Sequence, residues 1–300
     1  MSGKNHTTWA HHLPANFQSN HDYAKIFQIL RILRFNNRET CSSRKQNDKF
    51  AAIHDLWTFG AFVIVDQQLV AFRGNCPFRQ YCGLKFCILC DNETSYVWNI
   101  QPYTGKQPNQ PSEENRGLRV VLELSYGLKG HNITFDNAFK SYELGQMLLK
   151  ITVTMIGTVR KNKPSIPTEL LNTKNKEVFS STFAFTNNTM LVSYVPVVVQ
   201  STFHFNKNFP NSVSKKPQAI LDYNQTKGAV DTYDKMVSCY TSKRKTKRWP
   251  VVVFSNFVDI SAVNGYILFT KVNPNWKQNS LAKRRLFLEN LGISLVQIHI

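Results

Sequence analysis

The sequence predicts an α/β protein in which helices flank a mixed β-sheet. Runs of β-branched and aromatic residues, which are typical of strands, alternate with amphipathic segments that carry helix start and stop signals. From Ala61 onwards these patterns follow one another as three strands, a helix, a strand, a helix and a strand. A mixed sheet covered by helices is the economical way to bury the apolar faces of that series of elements.

The first three strands are predicted from three consecutive runs rich in valine, isoleucine and aromatic residues. These runs read "AFVIVDQQLVAF", "LKFCILC" and "SYVWNIQPY". Leu118, Val121 and Leu122 then recur at helical spacing, and Gly127 or Gly130 supplies a stop signal for the helix.

The next elements are a short strand, a capped helix and another strand. The segment "HNITFDNAF" predicts the fourth strand, and "TVTMIGTVR" predicts the fifth. Between them "SYELGQMLLK" opens with a serine that can cap a helix N-terminus, so we expect a helix there.

The chain divides by composition into four parts. Residues 1–50 are polar and predict a poorly ordered arm with one helix over "YAKIFQILRILRF". Residues 51–163 form the first part of the sheet-and-helix core. Residues 164–222 are rich in Asn, Thr, Val, Phe and Pro, which predicts an inserted β-rich subdomain without helices. Residues 223–300 return to helical patterns and complete the core.

Two helices are predicted in that last part. The first presents one apolar face, made of Val230, Tyr233, Val237 and Tyr240. The second covers "VVVFSNFVDISAVNGYILF", whose β-branched residues leave the type of element ambiguous, and we interpret it as a buried helix. Pro250 stands where the first turn of a helix accepts proline.

Net charge and targeting signals limit the class of protein. The 300 residues carry a net charge of +18, which points to a polyanionic partner, most often nucleic acid. A scaffold that never meets nucleic acid would leave this charge unexplained. A membrane partner is disfavoured, because no stretch of 18 uninterrupted apolar residues and no basic amphipathic helix is present. The N-terminus lacks the apolar region of a secretory signal, so the six cysteines are expected to stay reduced inside the cell.

Cys87 and Cys90 form a single C-x-x-C pair with an apolar spacer. A structural zinc site usually needs a second such pair, so we interpret these cysteines as buried strand thiols, with zinc as the less favoured alternative.

Four aspartates are candidate ligands for a hard metal ion. Asp66 follows the apolar run "AFVIV" and Asp136 follows "NITF", so each should lie at the exposed C-terminal end of a strand. Such ends gather at one edge of an open sheet. Asp231 and Asp234 share a helix face at spacing i, i+3. Carboxylates suit Mg²⁺ or Mn²⁺, and two such ions can activate a water and stabilise the leaving oxygen of a phosphodiester.

Plainer interpretations of the same aspartates stay open. Asp66 and Asp136 are also typical turn residues after a strand. Asp231 could pair with Lys235 one helical turn further on.

A basic run follows the second aspartate pair and would attract a phosphate backbone. Its members are Lys243, Arg244, Lys245, Lys247 and Arg248. The same run could be the basic end of a helix or a nuclear localisation signal.

Four blocks of the sequence resemble signature blocks of the piggyBac transposases and their domesticated derivatives. In the order of that family they read "VDQQLVAFRGNCPFRQY", "ITFDNAFKSYELG", "IGTVRKNKPSIP" and "YNQTKGAVDTYDKM…SKRKTKRWP". The resemblance implies an RNase H-like core interrupted by a β-rich insertion. It also implies a catalytic triad at Asp66, Asp136 and Asp231, with Asp234 as a further acid, and Mg²⁺ or Mn²⁺ as the cofactor, as two ions when the site is assembled.

The resemblance further implies nuclear double-stranded DNA as the partner and DNA transposition as the activity. The basic residues of the other blocks join the basic run as expected DNA contacts: Arg73, Arg79, Arg160, Lys161 and Lys163. A homodimer or a full-length transposase subunit is an expected protein partner through residues 1–50, which match part of the family's dimerisation region. No small-molecule cofactor is expected.

The sequence departs from the family pattern at several places. Gln67 stands where the family often has Glu, and the link between Tyr81 and Gly83 is shorter. No counterpart of the Cys-rich domain that reads the transposon end precedes Ile300, so we expect weak end recognition. A shortened link could shift the strand register and misalign the triad. The alternative function is therefore a catalytically silent DNA- or chromatin-binding module, or a remnant without activity.

Overall fold

The protein is described from a computed structural model that covers residues 60–80, 83–103, 115–139, 141–160, 166–171, 180–194, 197–210 and 215–297. The N-terminal arm and its predicted helix lie outside the described residues. Within these ranges the strands are β1 (Phe62–Ala71), β2 (Gly83–Asp91), β3 (Val97–Pro102), β4 (Asn132–Phe135), β5 (Thr154–Thr158), β6 (Ser181–Phe185), β7 (Met190–Tyr194) and β8 (Val197–Ser201). The helices are α1 (Arg116–Leu124), α2 (Tyr142–Lys150), α3 (Thr168–Leu171), α4 (Gln218–Thr226), α5 (Ala229–Cys239), α6 (Trp249–Val272) and α7 (Lys283–Gln297).

The strands form one mixed sheet in the order β3-β2-β1-β4-β5-β8-β7-β6. β4 pairs in parallel with β1 on one side and with β5 on the other. The pairs β2–β3, β5–β8, β7–β8 and β6–β7 are antiparallel. Parallel neighbours need a crossover connection, which α1 supplies before β4 and α2 supplies before β5. The predicted order of five strands and two helices and the mixed α/β class are confirmed.

Helices α1 and α2 pack against the parallel strands because each buries one apolar stripe. Val121 and Leu124 of α1 and Leu144 and Leu148 of α2 are at most 1% exposed and join one core cluster with the strands. The Ser141 hydroxyl accepts a hydrogen bond from the Leu144 N–H at 3.1 Å, as the sequence predicts for the cap of α2. Such a cap contributes about 1 kcal/mol.

Residues 164–222 differ from their prediction in two ways. The expectation of no helix is wrong, because α3 lies in this segment and α4 begins at Gln218. Pro167 and Pro217 stand directly before these helices, and proline has a φ angle suited to a helix start. The strands of this segment also extend the core sheet, since Ile156 of β5 pairs with Ser201 of β8. That pairing satisfies backbone groups that β5 would otherwise expose at an edge.

The chain divides into two compact units, and the described residues of each come from two separated segments. The sheet unit comprises residues 59–69 and 85–233, as far as they are described, and holds most of the sheet. The helical unit comprises residues 70–84 and 234–297 with α6 and α7, where Phe287 contacts the rings of Tyr266 and Phe269.

The prediction of a buried helix over α6 is confirmed. Val252, Val253, Ile260 and Val263 of α6 are buried, and Pro250 lies in its first turn. By length and composition alone α6 could also cross a membrane, with a mean hydropathy of 1.5 over its most apolar window. More than half of that window (56%) is buried inside the protein, and a core helix passes the same test.

The predicted apolar face of α5 is confirmed for three of its four residues. Val230, Tyr233 and Val237 are buried, but the helix ends at Cys239 and Tyr240 is 43% exposed. Including Tyr240 was wrong, because the helical period no longer applies beyond the end of α5.

Candidate functional site

Asp66 and Asp136 lie at neighbouring positions on two adjacent parallel strands. The prediction that Asp66 ends its strand is wrong, because β1 continues to Ala71, with Gln68 and Val70 buried along the extension. However, the pairing of β1 with β4 stops at Val65 opposite Phe135. Asp66 is therefore the first residue beyond the parallel pairing, and Asp136 directly follows β4 as predicted.

The Asp136 carboxylate is exposed and is held by two hydrogen bonds. Its Oδ1 accepts from the Asn137 N–H at 2.6 Å and from the Thr158 hydroxyl at 3.0 Å. Thr158 is the last residue of β5, the strand beside β4. Neighbouring strand ends therefore fix the orientation of this carboxylate.

Tyr223 of α4 extends this contact to a helix. Its hydroxyl hydrogen-bonds the Thr158 side chain, and burial, followed by the nearby Asp136 and Asp66 carboxylates, raises the pKa of Tyr223. The Thr226 hydroxyl of α4 lies 2.7 Å from that of Thr134 in β4. These contacts hold α4 against the carboxylate end of the parallel strands.

Asp231 lies in the first turn of α5, the helix that follows α4, and is exposed. The pKa of Asp66 is raised, first by burial and then by the negative charges of Asp136 and Asp231. The Gln67 N–H, 2.7 Å from Asp66 Oδ1, and the positive charge of Lys85 act in the opposite direction. The fold therefore brings Asp136 and Asp231 close enough to Asp66 for their charges to act on it, and we call these three predicted triad residues the carboxylate site.

The donor chemistry of the carboxylate site fits a hard divalent cation. Mg²⁺ usually takes one or two carboxylates and completes its coordination with water and substrate phosphate. The hydrogen bonds of Asp66 and Asp136 use Oδ1 in each case. In the described parts of the chain, no group of three or more His, Cys, Asp or Glu side chains is close enough to hold one ion. The residues therefore fit a cation held by one or two carboxylates at a time.

Asp234, the predicted fourth ligand, follows Asp231 by one helical turn in α5. It belongs to the helical unit, whereas Asp66, Asp136 and Asp231 belong to the sheet unit. The carboxylate site is therefore defined without Asp234.

Lys85, Thr158 and Tyr223 were not predicted as site residues. Lys85 offered a signal, because a lysine in the apolar run "LKFCILC" of β2 is unusual for a strand with buried faces. Thr158 and Tyr223 gave no such signal, since their role depends on the pairing of distant elements.

We expect Asp66→Asn to raise the melting temperature of the metal-free protein at pH 7. The folded state holds the Asp66 proton more tightly than the unfolded chain, whose pKa is near the ordinary 3.8. This carboxyl therefore destabilises the fold increasingly as pH rises from that value through the folded pKa, and the cost persists above it. Asparagine keeps the acceptor for the Gln67 N–H and removes the charge.

Thermal melts of parent and variant between pH 3 and pH 7 check this expectation. The gain should vanish at the acidic end, where Asp66 is protonated in both states. Glu289→Gln removes an exposed carboxylate of α7 and is the matched control. An equal gain at every pH would show that charge is not the cause.

The basic run lies in the connection between α5 and α6, and its last residue, Arg248, is the N-cap of α6. Asp259 of α6, 5% exposed, anchors the start of this connection: its carboxylate accepts from the Thr241 hydroxyl at 2.5 Å and from the Ser242 N–H at 2.7 Å. Lys243 is half-buried and its Nζ donates to the Ala71 carbonyl. Burial lowers the pKa of Lys243, while the charge of Asp259 raises it.

The segment that carries Arg73 and Arg79 lies against this connection within the helical unit. The rings of Phe78 and Trp249 meet at 4.9 Å, edge to face. A Cβ on Gly74 would lie 2.6 Å from the Lys247 carbonyl oxygen, so only glycine permits this approach. The two segments form what we call the basic surface. Its exposed members are Arg73, Arg79, Arg244, Lys245, Lys247 and Arg248.

The other predicted DNA contacts are placed differently. Arg160 belongs to the sheet unit, is exposed, and donates from Nε to the Asn137 side chain at 3.3 Å, next to Asp136. Lys161 and Lys163 lie outside the described residues.

Cys87 and Cys90 are buried strand thiols, as predicted. They are 5% and 0% exposed in β2, and burial raises the pKa of Cys87 to about 11. A thiol with this pKa is protonated at neutral pH and is a poor nucleophile and metal ligand.

The sequence and the fold have counterparts among known proteins. The family model described as Transposase IS4 matches residues 8–266. A piggyBac transposase solved by cryo-EM as a synaptic complex with hairpin DNA is 33% identical, with a TM-score of 0.72; the match covers 95% of this chain and 66% of that chain. This match confirms the expected RNase H-like fold class.

Two human proteins show the same relationship over a shorter region. The human PiggyBac transposable element-derived protein 3 is 28% identical over 195 residues, which is 57% of this chain and 32% of that protein. The human Chimeric ERCC6-PGBD3 protein matches with the same identity over 195 residues, and the chain spans only 18% of its length. The matched family model, these relatives and the shared fold establish that the chain belongs to the piggyBac-type transposase family.

Proposed function

We propose that the protein binds double-stranded DNA and cleaves and transfers DNA strands with the help of a divalent cation, Mg²⁺ or Mn²⁺. The observation that carries this proposal is the placement of Asp66 and Asp136 where the pairing of β1 with β4 ends, together with the negative charges of Asp136 and Asp231, which raise the pKa of Asp66. Repelling carboxylates are typical of functional sites, where a bound cation removes the repulsion.

The basic surface supports DNA as the ligand. It presents six exposed Arg and Lys side chains from two segments, in a chain of net charge +18. Contacts of this kind neutralise backbone phosphates, and the resulting affinity falls steeply with salt. The solved relative that shares this fold forms a complex with hairpin DNA.

The residues of the carboxylate site have distinct parts in this proposal. Asp66 and Asp136 would hold the cation, with Asp231 as the ligand for a second one. When bound, the cation supplies Lewis-acid stabilisation of a phosphodiester and lowers the pKa of an attacking water. Thr158, itself bonded to Tyr223, holds the Asp136 carboxylate by donating to Oδ1. Arg160, next to the site, is placed to contact a phosphate.

We expect Mn²⁺ to raise the melting temperature of the parent chain, and we expect Asp136→Asn to abolish this rise. At about 100 times its dissociation constant a ligand stabilises the native state by roughly 2.7 kcal/mol, which corresponds to about 5 °C for a protein of this size. Asparagine removes the charge of one ligand but keeps the acceptor for Asn137 and Thr158.

Glu289→Gln is the matched control, because it removes an exposed carboxylate outside the carboxylate site, and it should keep the full shift. A strand-nicking assay with the same proteins tests cleavage. An Asp136→Asn protein that still gains stability with Mn²⁺ would contradict the metal assignment.

A catalytically silent DNA-binding module is the second candidate function. The observation that favours it is that Asp136 begins an ordinary turn, in which its carbonyl accepts from the Phe139 N–H at 3.3 Å, while its Oδ1 already accepts from the Asn137 N–H and the Thr158 hydroxyl. In that case DNA binding would depend on salt, while Mn²⁺ would neither stabilise the chain nor support nicking.

A further inference from the structure

Three phenylalanine rings, two of them exposed, cluster at the outermost strand of the sheet. Phe183 and Phe185 of the edge strand β6 stack with their rings nearly parallel at 6.1 Å, and Phe209 meets Phe183 edge to face at 5.5 Å. Phe185 and Phe209 are 42% and 43% exposed. We call these three rings the aromatic patch. Exposed apolar groups that gather in one place mark binding surfaces more often than isolated ones do.

The segment that carries Phe209 is braced at both ends. At its start the Ser201 hydroxyl accepts from the Phe203 N–H at 3.0 Å and lies 2.9 Å from Nδ1 of His204. The other ring nitrogen of His204 lies 2.8 Å from the Asp222 carboxylate of α4. Towards its end the Asn208 carbonyl accepts from the Gln218 N–H at 2.9 Å. These contacts fix residues 201–208, which directly precede Phe209.

The charge around the aromatic patch selects the kind of partner. Lys207 places its Nζ 5.9 Å from the centre of the Phe183 ring. Residues 178–221 include Lys207, Lys215 and Lys216 and contain no aspartate or glutamate. A surface that places a lysine beside aromatic rings is complementary to a ligand that has flat apolar faces and negative charge.

We propose that the aromatic patch binds unpaired bases of a single-stranded nucleic acid. The Phe185 and Phe209 rings would stack on bases, and Lys207 would contact the adjoining phosphate, as in proteins that bind single strands without sequence preference. This surface is separate from the carboxylate site and carries none of its residues. The inference rests on the proposed function in one respect, namely that the protein binds DNA.

The test is fluorescence anisotropy with a labelled single strand of about 12 thymidines, a length within the range of such binding sites. Phe185→Ala and Phe209→Ala should each weaken binding at least about fivefold, since a stacked base contributes roughly 1–3 kcal/mol. Binding to a duplex of the same length should not change. Tyr126→Ala, which removes an exposed aromatic ring at the end of α1, is the matched control and should bind like the parent. Thermal melts confirm that each variant is folded.

Two results would overturn the inference. Equal affinity of the parent for an abasic strand of the same length would show that bases are not contacted. Loss in Phe185→Ala of a concentration-dependent dimer, without loss of single-strand affinity, would assign the aromatic patch to a second copy of the chain. If the parent bound the single strand but no duplex, only the proposed binding of double-stranded DNA would be contradicted. The phenylalanine variants would still decide whether the aromatic patch binds bases.

Discussion

Gly157→Ala is expected to lower the free energy of unfolding by about 3 kcal/mol or more. Gly157 of β5 pairs with Phe135 of β4, and an added Cβ would lie 2.2 Å from the Phe135 carbonyl oxygen. No rotamer change relieves a clash with backbone, so the two strands would have to separate. Overpacking in a core costs about 1–3 kcal/mol, and a clash with a strand backbone belongs at or above the upper end.

The same substitution should weaken the function that we propose for the carboxylate site. Phe135 directly precedes Asp136, so a displaced β4 moves this carboxylate relative to Asp66. A displacement of about 1 Å can reduce activity on the order of 100-fold. Urea unfolding and the Mn²⁺-dependent melt measure the two effects.

Gly292→Ala in α7 is the matched control, because a Cβ there meets no atom within 4 Å. It should be neutral or stabilising by up to about 1 kcal/mol, as expected for alanine in a helix interior. If Gly157→Ala were as stable as the parent, the close approach of β4 and β5 would be wrong.

Asp259→Ala is expected to destabilise the protein by roughly 3 kcal/mol and to weaken duplex binding. The substitution leaves the Thr241 hydroxyl and the Ser242 N–H without their charged acceptor, and each bond to a charged group contributes about 1.5–3 kcal/mol. Alanine also leaves a cavity in α6. Because these two bonds anchor the connection that carries the basic surface, its Arg and Lys side chains would lose their fixed positions.

Asp259→Asn separates the two contributions. Asparagine fills the same volume and still accepts one hydrogen bond, so we expect a loss intermediate between parent and Asp259→Ala. Urea unfolding and anisotropy with a labelled duplex at fixed salt measure stability and affinity. Unchanged duplex affinity in a folded Asp259→Ala protein would show that the anchor does not order the basic surface.

The sequence predicted those elements whose signals are local. β1 to β5, α1 and α2 were found because period-2 and helical patterns, the Ser141 cap and the glycines after α1 all lie within the segments that they define. The membership of β8 in the core sheet could not be found in this way. It depends on the pairing of Ile156 with Ser201, and the local sequence around either residue does not identify the other as its partner.

The candidate site was predictable in its acids but not in their support. Asp66 and Asp136 are charged residues that directly follow apolar runs, and Asp231 lies in the first turn of a helix. Charged residues at such positions can be recognised in the sequence. The expected end of β1 at Asp66 was wrong, because a half-buried aspartate is tolerated within a strand at the point where the neighbouring strand stops. The roles of Thr158 and Tyr223 follow from the folded arrangement alone.

The described residues of the helical unit come from two segments far apart in the chain, which has a consequence for biosynthesis. Phe78 leaves the ribosome about 170 residues before Trp249, its ring partner in α6. At about 5–20 residues per second this delay lasts roughly 9–34 s. During that time Phe78 has no Trp249 to contact, and the nascent chain exposes an apolar ring that a chaperone can bind. A recombinant fragment that starts at residue 234 would also lack Phe78. Isolation of the helical unit therefore requires a circular permutation or two co-expressed chains.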